Sequence, residues 1–177
     1  MSFSMSSASL PVFVIELAAL SGILDKTAAF AQSKKIDPSV LLQDRLAPDM
    51  FPLVRQVQLV AYHATSAAAL LSGVDVPAHK DDETTIDQLK ARIDAAIAFV
   101  KSVDGSKIDA AAERAITFPL GPTNRGHMKG SDYLNHFVLP NLYFHLTAAY
   151  AILRHNGVAV GKLDYLGAIP IKVSPAA

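Results

Sequence analysis

Apolar residues recur at steps of three and four along separate stretches of this chain, and that spacing restricts it to a helical fold. Phe13, Leu17, Leu20, Leu24, Ala28 and Ala31 form one stripe, and Leu53, Val57, Val60, Ala64, Ala67 and Leu71 a second. Ile86, Leu89, Ile93, Ile97 and Val100 form a third. A period near 3.6 gathers each set on one face of a helix, and that face must be buried against another element. The punctuation agrees. Ser9 is placed to cap the first helix, and the polar SKKIDPS segment ends it. Pro38 suits the first position of a short helix over 38–46. Pro48-Asp49 announces the second long helix, and Gly73 stands where its C-terminal cap belongs. Thr84 with Asp87, or Thr85 with Gln88, makes a capping box for the third, which ends near Asp104-Gly105. A fourth helix is predicted over about 132–155, with Ser131 or Asp132 capping it, Gly157 ending it and Pro140 bending it.

The connections carry little regular pattern. VPAHKDDETT at 76–85 is a polar loop, and 106–130 is an irregular stretch in which ITFPL is at most an edge strand because of Pro119. The tail VAVGKLDYLGAIPIKV is predicted to pack back as coil. These readings give an all-α fold, residues 1–177 forming a single four-helix-bundle domain with its longest connection between the third and fourth helices. At 177 residues with 51% apolar and 18% charged content, one domain with a sizeable core is the expectation. Sixteen basic residues balance sixteen acidic ones, which removes the field that recruits nucleic acid or anionic lipid. There is no cysteine, hence no disulfide, thiolate nucleophile or thiolate metal site, and a cytoplasmic address is consistent with that.

Two segments imitate membrane signals. The N-terminus MSFSMSSASLPVFVIELAALSGILDK lacks a positive n-region, is interrupted by Glu16 and carries no cleavage site. Residues 134–153 have no charged side chain, yet Asn135, His136, Pro140, Asn141 and His145 fall inside them, and polar groups are costly in hydrocarbon. No membrane partner is expected. GVAVGKL at 157–163 is one residue short of a phosphate-binding loop and lacks its final hydroxyl, so it reads as a helix cap and turn. HKDDE at 79–83 reads as a solvated run of charges, and GPTNRGHMKG at 121–130 as a surface loop.

One constellation survives. Asn141 and His145 are four apart and share a face of the fourth helix, while His63 lies at the edge of the second helix's apolar stripe. Together they can line a polar pocket in the bundle. Two readings stand. In the first, His145 is a core residue hydrogen-bonded to a hydroxyl or carbonyl, with Tyr62, Tyr143 and Tyr150 as available partners. In the second, His63, Asn141 and His145 are ligands of a weakly held divalent metal such as zinc or nickel.

The stretches LLQDRLAPDMFPLVRQVQLVAYHA, DDETTIDQLKARI and DYLNHFVLPNLYFHLTAAYAILRHNGVAVGKLDYLG resemble a bacterial domain family of unknown function within the DinB/YfiT-like superfamily. The resemblance runs from about Leu10 to Gly167. It implies a four-helix bundle of up-down-down-up topology and frequent homodimers. Many members of that superfamily hold a divalent metal through one histidine on the second helix and an H-x3-H pair on the last. His145 matches the second position of that pair, Asn141 stands at the first, and His63 corresponds to the helix-two ligand. Some related bundles are metal-dependent thiol S-transferases. The functions to weigh are therefore a small-ligand binding module, a metal-assisted transferase or hydrolase using the same three residues, and a dimer whose pocket is vestigial. A homodimer is also expected from the fourth helix itself, where Phe137, Leu139, Leu142, Phe144, Leu146, Ile152 and Leu153 leave more than one apolar face.

Overall fold

The computed structural model describes residues 4–174. Four long helical segments dominate it: α1 (Met5–Lys34), α3 (Leu53–Ser72), α4 (Ile86–Ser102) and α7 (Leu139–His155), with a short α2 (Pro38–Gln43) between the first two. α3 packs against both α4 and α7, and α1 packs against α4. Every residue of the second apolar stripe, from Leu53 to Leu71, is fully buried, which makes α3 the centre of the core. Each such Leu or Val removed from water stabilises the fold by roughly 1.5–3 kcal/mol before cavity effects. On α1 the stripe is shifted from expectation, because Ala28 faces solvent while Ile23 and Thr27 turn inward. α1 is long and apolar enough to cross a membrane by length and composition, yet Phe13, Leu17, Leu20, Ile23 and Leu24 are fully buried in the protein's own core.

The helix ends follow local chemistry, with corrections. α1 is capped by Ser4, which forms a capping box with Ser7, and Ser9 lies inside the helix donating to the Met5 carbonyl oxygen. Asp37 caps α2, which stops at Gln43. α3 begins at Leu53 rather than near Pro48, and Gly73 ends it with φ 78°, a left-handed conformation that costs glycine nothing. For α4 the working capping box is Thr85 with Gln88.

The fold is mostly helical, but the expectation of an all-α chain needs correcting between α4 and α7. After the short α5 (Gly105–Asp109), β1 (Ala115–Leu120) and β2 (Asn124–Lys129) form an antiparallel hairpin. Pro119 pairs with Arg125 in register, which a two-stranded ladder tolerates because each strand uses only alternate N–H groups. Ile116 and Phe118 turn inward, and Phe118 lies so flat on Gly126 that a Cβ there would sit 2.5 Å from its ring.

The last long helix is composite. It opens at α6 (Gly130–Asp132), continues as a π-helical segment over Tyr133–Val138, and only then becomes α7. No side chain caps it; the Gly130 and Ser131 N–H groups donate to the Arg114 and Ala112 carbonyl oxygens instead. A Cβ on Gly130 would stand 2.0 Å from the Ala111 carbonyl oxygen, so this junction requires glycine. Pro140 follows the π segment after one intervening residue, Leu139. Its ring displaces the carbonyl one turn back and removes a donor, and the wider π turn accommodates both, so the expected bend becomes a change of register. The tail is not all coil: α8 (Lys162–Leu166) packs on α1, and the Tyr165 hydroxyl shares a hydrogen bond with Thr147 Oγ1 at 3.0 Å.

Candidate functional site

Gln56 and His63 are seven residues apart on α3, two helical turns, so both face the same neighbour. That neighbour is α7, which carries His145. The two imidazoles stack nearly parallel, 5.5 Å between centroids and 11° between planes. His63 is 6% exposed and His145 8%. Edge-on aromatic contacts frame the pair: Tyr62 at 5.4 Å and Phe137 at 6.0 Å from His63, and Phe144 at 5.3 Å from His145. Phe137 belongs to the π segment and stacks in turn with Phe118 and Tyr133, so the hairpin and the π segment together fix one wall.

Burial lowers the pKa of His63 to about 4, and the neighbouring His145 adds to the shift. Burial likewise lowers that of His145 to about 4, aided by the Arg55 guanidinium. Both rings are therefore neutral at physiological pH. The hydrogen-bond partner of His145 is not one of the expected tyrosines. Its Nδ1 lies 2.8 Å from Gln56 Oε1, in a buried contact. Sequence reasoning missed Gln56, although a polar residue seven positions before His63, on the same face as Leu53 and Val60, was a visible signal.

Asn141 does not join the pair through its amide nitrogen. That nitrogen donates to the Phe137 carbonyl oxygen at 2.6 Å, one turn back on its own helix. The side chain thus supports the π segment, and only its Oδ1 is left to face a ligand. Among the described residues no group of three or more His, Cys, Asp or Glu is arranged to hold a metal ion. A metal at the histidine pair would have two imidazoles and a carboxamide oxygen as its protein donors.

Four clefts open on the described surface without either imidazole in their lining. One of these, about 370 Å³, lies beside the pair between Leu46, Met50, Pro140, Tyr143 and Phe144. Phe144 is 56% exposed and Phe51 55%, so an apolar surface adjoins the histidines on the outside.

The HKDDE run is not a plain solvated face. Asp81, held at φ 57°, and Glu83 both pair with Arg92, whose side chain is 2% exposed. Arg55 also reaches Asp81, and Gln58 donates to Glu83 at 2.8 Å. The loop is thereby bolted to α3 and α4, and Arg55 connects it to the electrostatics of His145. Elsewhere Glu16 on α1 is buried with Oε2 unpartnered, and burial pushes its pKa up to about 7.

A mostly helical chain with a histidine pair between its second and last long helices has a close structural counterpart. The crystal structure of a DinB family member protein from Shewanella denitrificans superposes with a TM-score of 0.87 at 40% identity, covering 96% of this chain and 95% of that one. The fold is thus of the DinB class. Over residues 5–166 the chain matches the domain of unknown function DUF1993, and it belongs to that family. None of the curated proteins is similar to it.

Proposed function

We propose that this protein binds a small molecule at the His63–His145 pair, as a binding module rather than a catalyst, and that it works as a cytoplasmic homodimer whose four long helices run up-down-down-up. One observation carries the binding reading: two buried imidazoles stacked at 5.5 Å, with burial holding both neutral. Two polar rings inside an apolar wall are costly unless something uses them, and a few polar groups in a mostly apolar surround are the usual makeup of a small-molecule site. The exposed Phe51, Tyr143 and Phe144 beside the pair support the homodimer, since a contiguous apolar patch favours a second surface. A fragment screen read on the ring resonances of His63 and His145 tests the binding reading. Ligands that shift both rings, and stop binding in His145→Ala, are the expected result; a screen in which no fragment moves either ring refutes it.

A second reading is a metal-assisted transferase, thiol S-transferase-like, or hydrolase. It is favoured by Gln56, because a metal-ligating histidine commonly gives its other nitrogen to an oxygen acceptor behind it. His63 and His145 would hold the ion, with Asn141 Oδ1 as a weaker third donor. What zinc or nickel supplies in such sites is Lewis-acid polarisation of a bound thiol or water. Stoichiometric zinc or nickel that survives chelator dialysis, and is lost in His145→Ala, puts this reading first.

A further inference from the structure

The orientation of Gln56 fixes more than the position of His145. Its Nε2 donates to the Phe51 carbonyl oxygen at 3.0 Å, so the amide cannot turn over without breaking that bond. The oxygen end therefore faces the imidazole, with Oε1 2.8 Å from Nδ1. An amide oxygen only accepts, so the proton between them belongs to Nδ1. A neutral imidazole carries one N–H, which leaves Nε2 of His145 as a bare lone pair. That nitrogen has no partner among the described residues. Among the described residues, the buried polar side-chain atoms lacking a partner are Glu16 Oε2 and Arg92 Nε; Nε2 is not one of them, so it retains some exposed surface.

We propose that Gln56 locks His145 in the Nδ1–H tautomer, and that the ligand of the pair is consequently a neutral molecule bringing an O–H or N–H donor to Nε2. This rests on the reading of the pair as a binding site. An ionised carboxylate offers only acceptors, which face the lone pair unfavourably. His63 makes no hydrogen bond of its own within the described residues, so one donor and one acceptor remain there for a second polar group of the ligand. The apolar frame of Phe137, Phe144 and Tyr62 suits the rest of it. Gln56 is thus a positioning residue, acting on the ligand through His145.

The tautomer is directly visible. In the full chain labelled with ¹⁵N-histidine at pH 7, long-range proton–nitrogen correlation should show a pyrrole-type Nδ1 and a pyridine-type Nε2 for His145, assigned by their absence in His145→Ala. Phenol and benzoate, alike in shape but opposite in hydrogen-bonding character, serve as probes. Phenol should move the Nε2 signal toward the protonated type, and benzoate should leave it in place. Gln56→Leu should average the two nitrogen signals and weaken phenol about twofold, the factor for a ring only half in the competent form. An Nε2–H tautomer in the wild type overturns the proposal even if ligands bind, as does benzoate acting like phenol. The predicted tautomer with neither probe moving either ring instead defeats the binding reading, and the ligand class falls with it.

Discussion

Replacing Glu16 by Gln should convert a pH-dependent weakness into a pH-independent one. Glu16 is 8% exposed on the inner side of α1, its Oε2 has no partner, and burial raises its pKa from the usual 4.5 to about 7. A carboxyl whose folded pKa lies above its unfolded value binds more protons when folded. Its contribution is intact below pH 4.5 and is lost as pH rises through 7. A separation of about 2.5 units corresponds to about 3 kcal/mol when fully developed, at roughly 1.4 kcal/mol per unit. The stability of Glu16→Gln relative to the wild type should therefore be constant near pH 4. It should be about 1 kcal/mol more favourable by pH 5, and about 3 kcal/mol more favourable above pH 8. Urea denaturation of both proteins at pH 4, 5, 6, 7 and 8.5 reads this directly. Any fixed packing difference between the side chains moves the whole curve without changing its slope. Parallel curves for the two proteins across that range would refute the reasoning, because they would mean that the carboxyl titrates alike in the folded and unfolded states.

The histidine pair should act over an overlapping window with the opposite sign: both pKa values are depressed from 6.5 to about 4, so stability falls as pH drops through that range. His145→Ala should flatten that part of the urea-stability profile, and an unchanged acid slope counts against the burial argument. Arg92→Met should cost about 3 kcal/mol in urea unfolding, since it leaves Asp81 and Glu83 facing an apolar side chain; a loss under 1 kcal/mol contradicts the buried pairing. Gly130→Ala must displace the Ala111 carbonyl oxygen, 2.0 Å from the new methyl group, and should lower the thermal midpoint by more than 10 °C, whereas Gly161→Ala, with open space around it, should stay within a few degrees.

Much of the helical framework was legible because its signals are local. Leu53 to Leu71 repeat on one face, Gly73 is a terminator, and Thr85 with Gln88 closes a box within four residues; none of these depends on the rest of the chain. The hairpin was not legible because NRGHMK alternates no apolar residues, and its strand character comes from pairing with ITFPL across the turn. The π segment was hidden for a similar reason, since Pro140 announces a disturbance without saying how the backbone absorbs it. At the candidate site, helical spacing sufficed to bring His63 and His145 onto facing helices. It did not reveal that Asn141 would turn its amide to the Phe137 carbonyl, or that Gln56 would sit behind His145. The loop acids looked solvated because their partner, Arg92, lies beside Ile93 on a helix whose apolar stripe gave no hint of a buried charge.

A π turn amounts to one residue more than an α-helix needs, and it sets the angular phase between the helix on its N-terminal side and the helix on its C-terminal side. Removing a single residue from 133–138 would let the helix run on in ordinary register and rotate its N-terminal part by about 100° relative to α7. The hairpin would swing with it, and Phe137 would leave the face of His63 while His145 and Gln56 stayed where they are. The chain thus carries its histidine pair on α3 and α7 and Phe137, which packs against His63, on the π segment, and the phase between them is set within six residues of backbone.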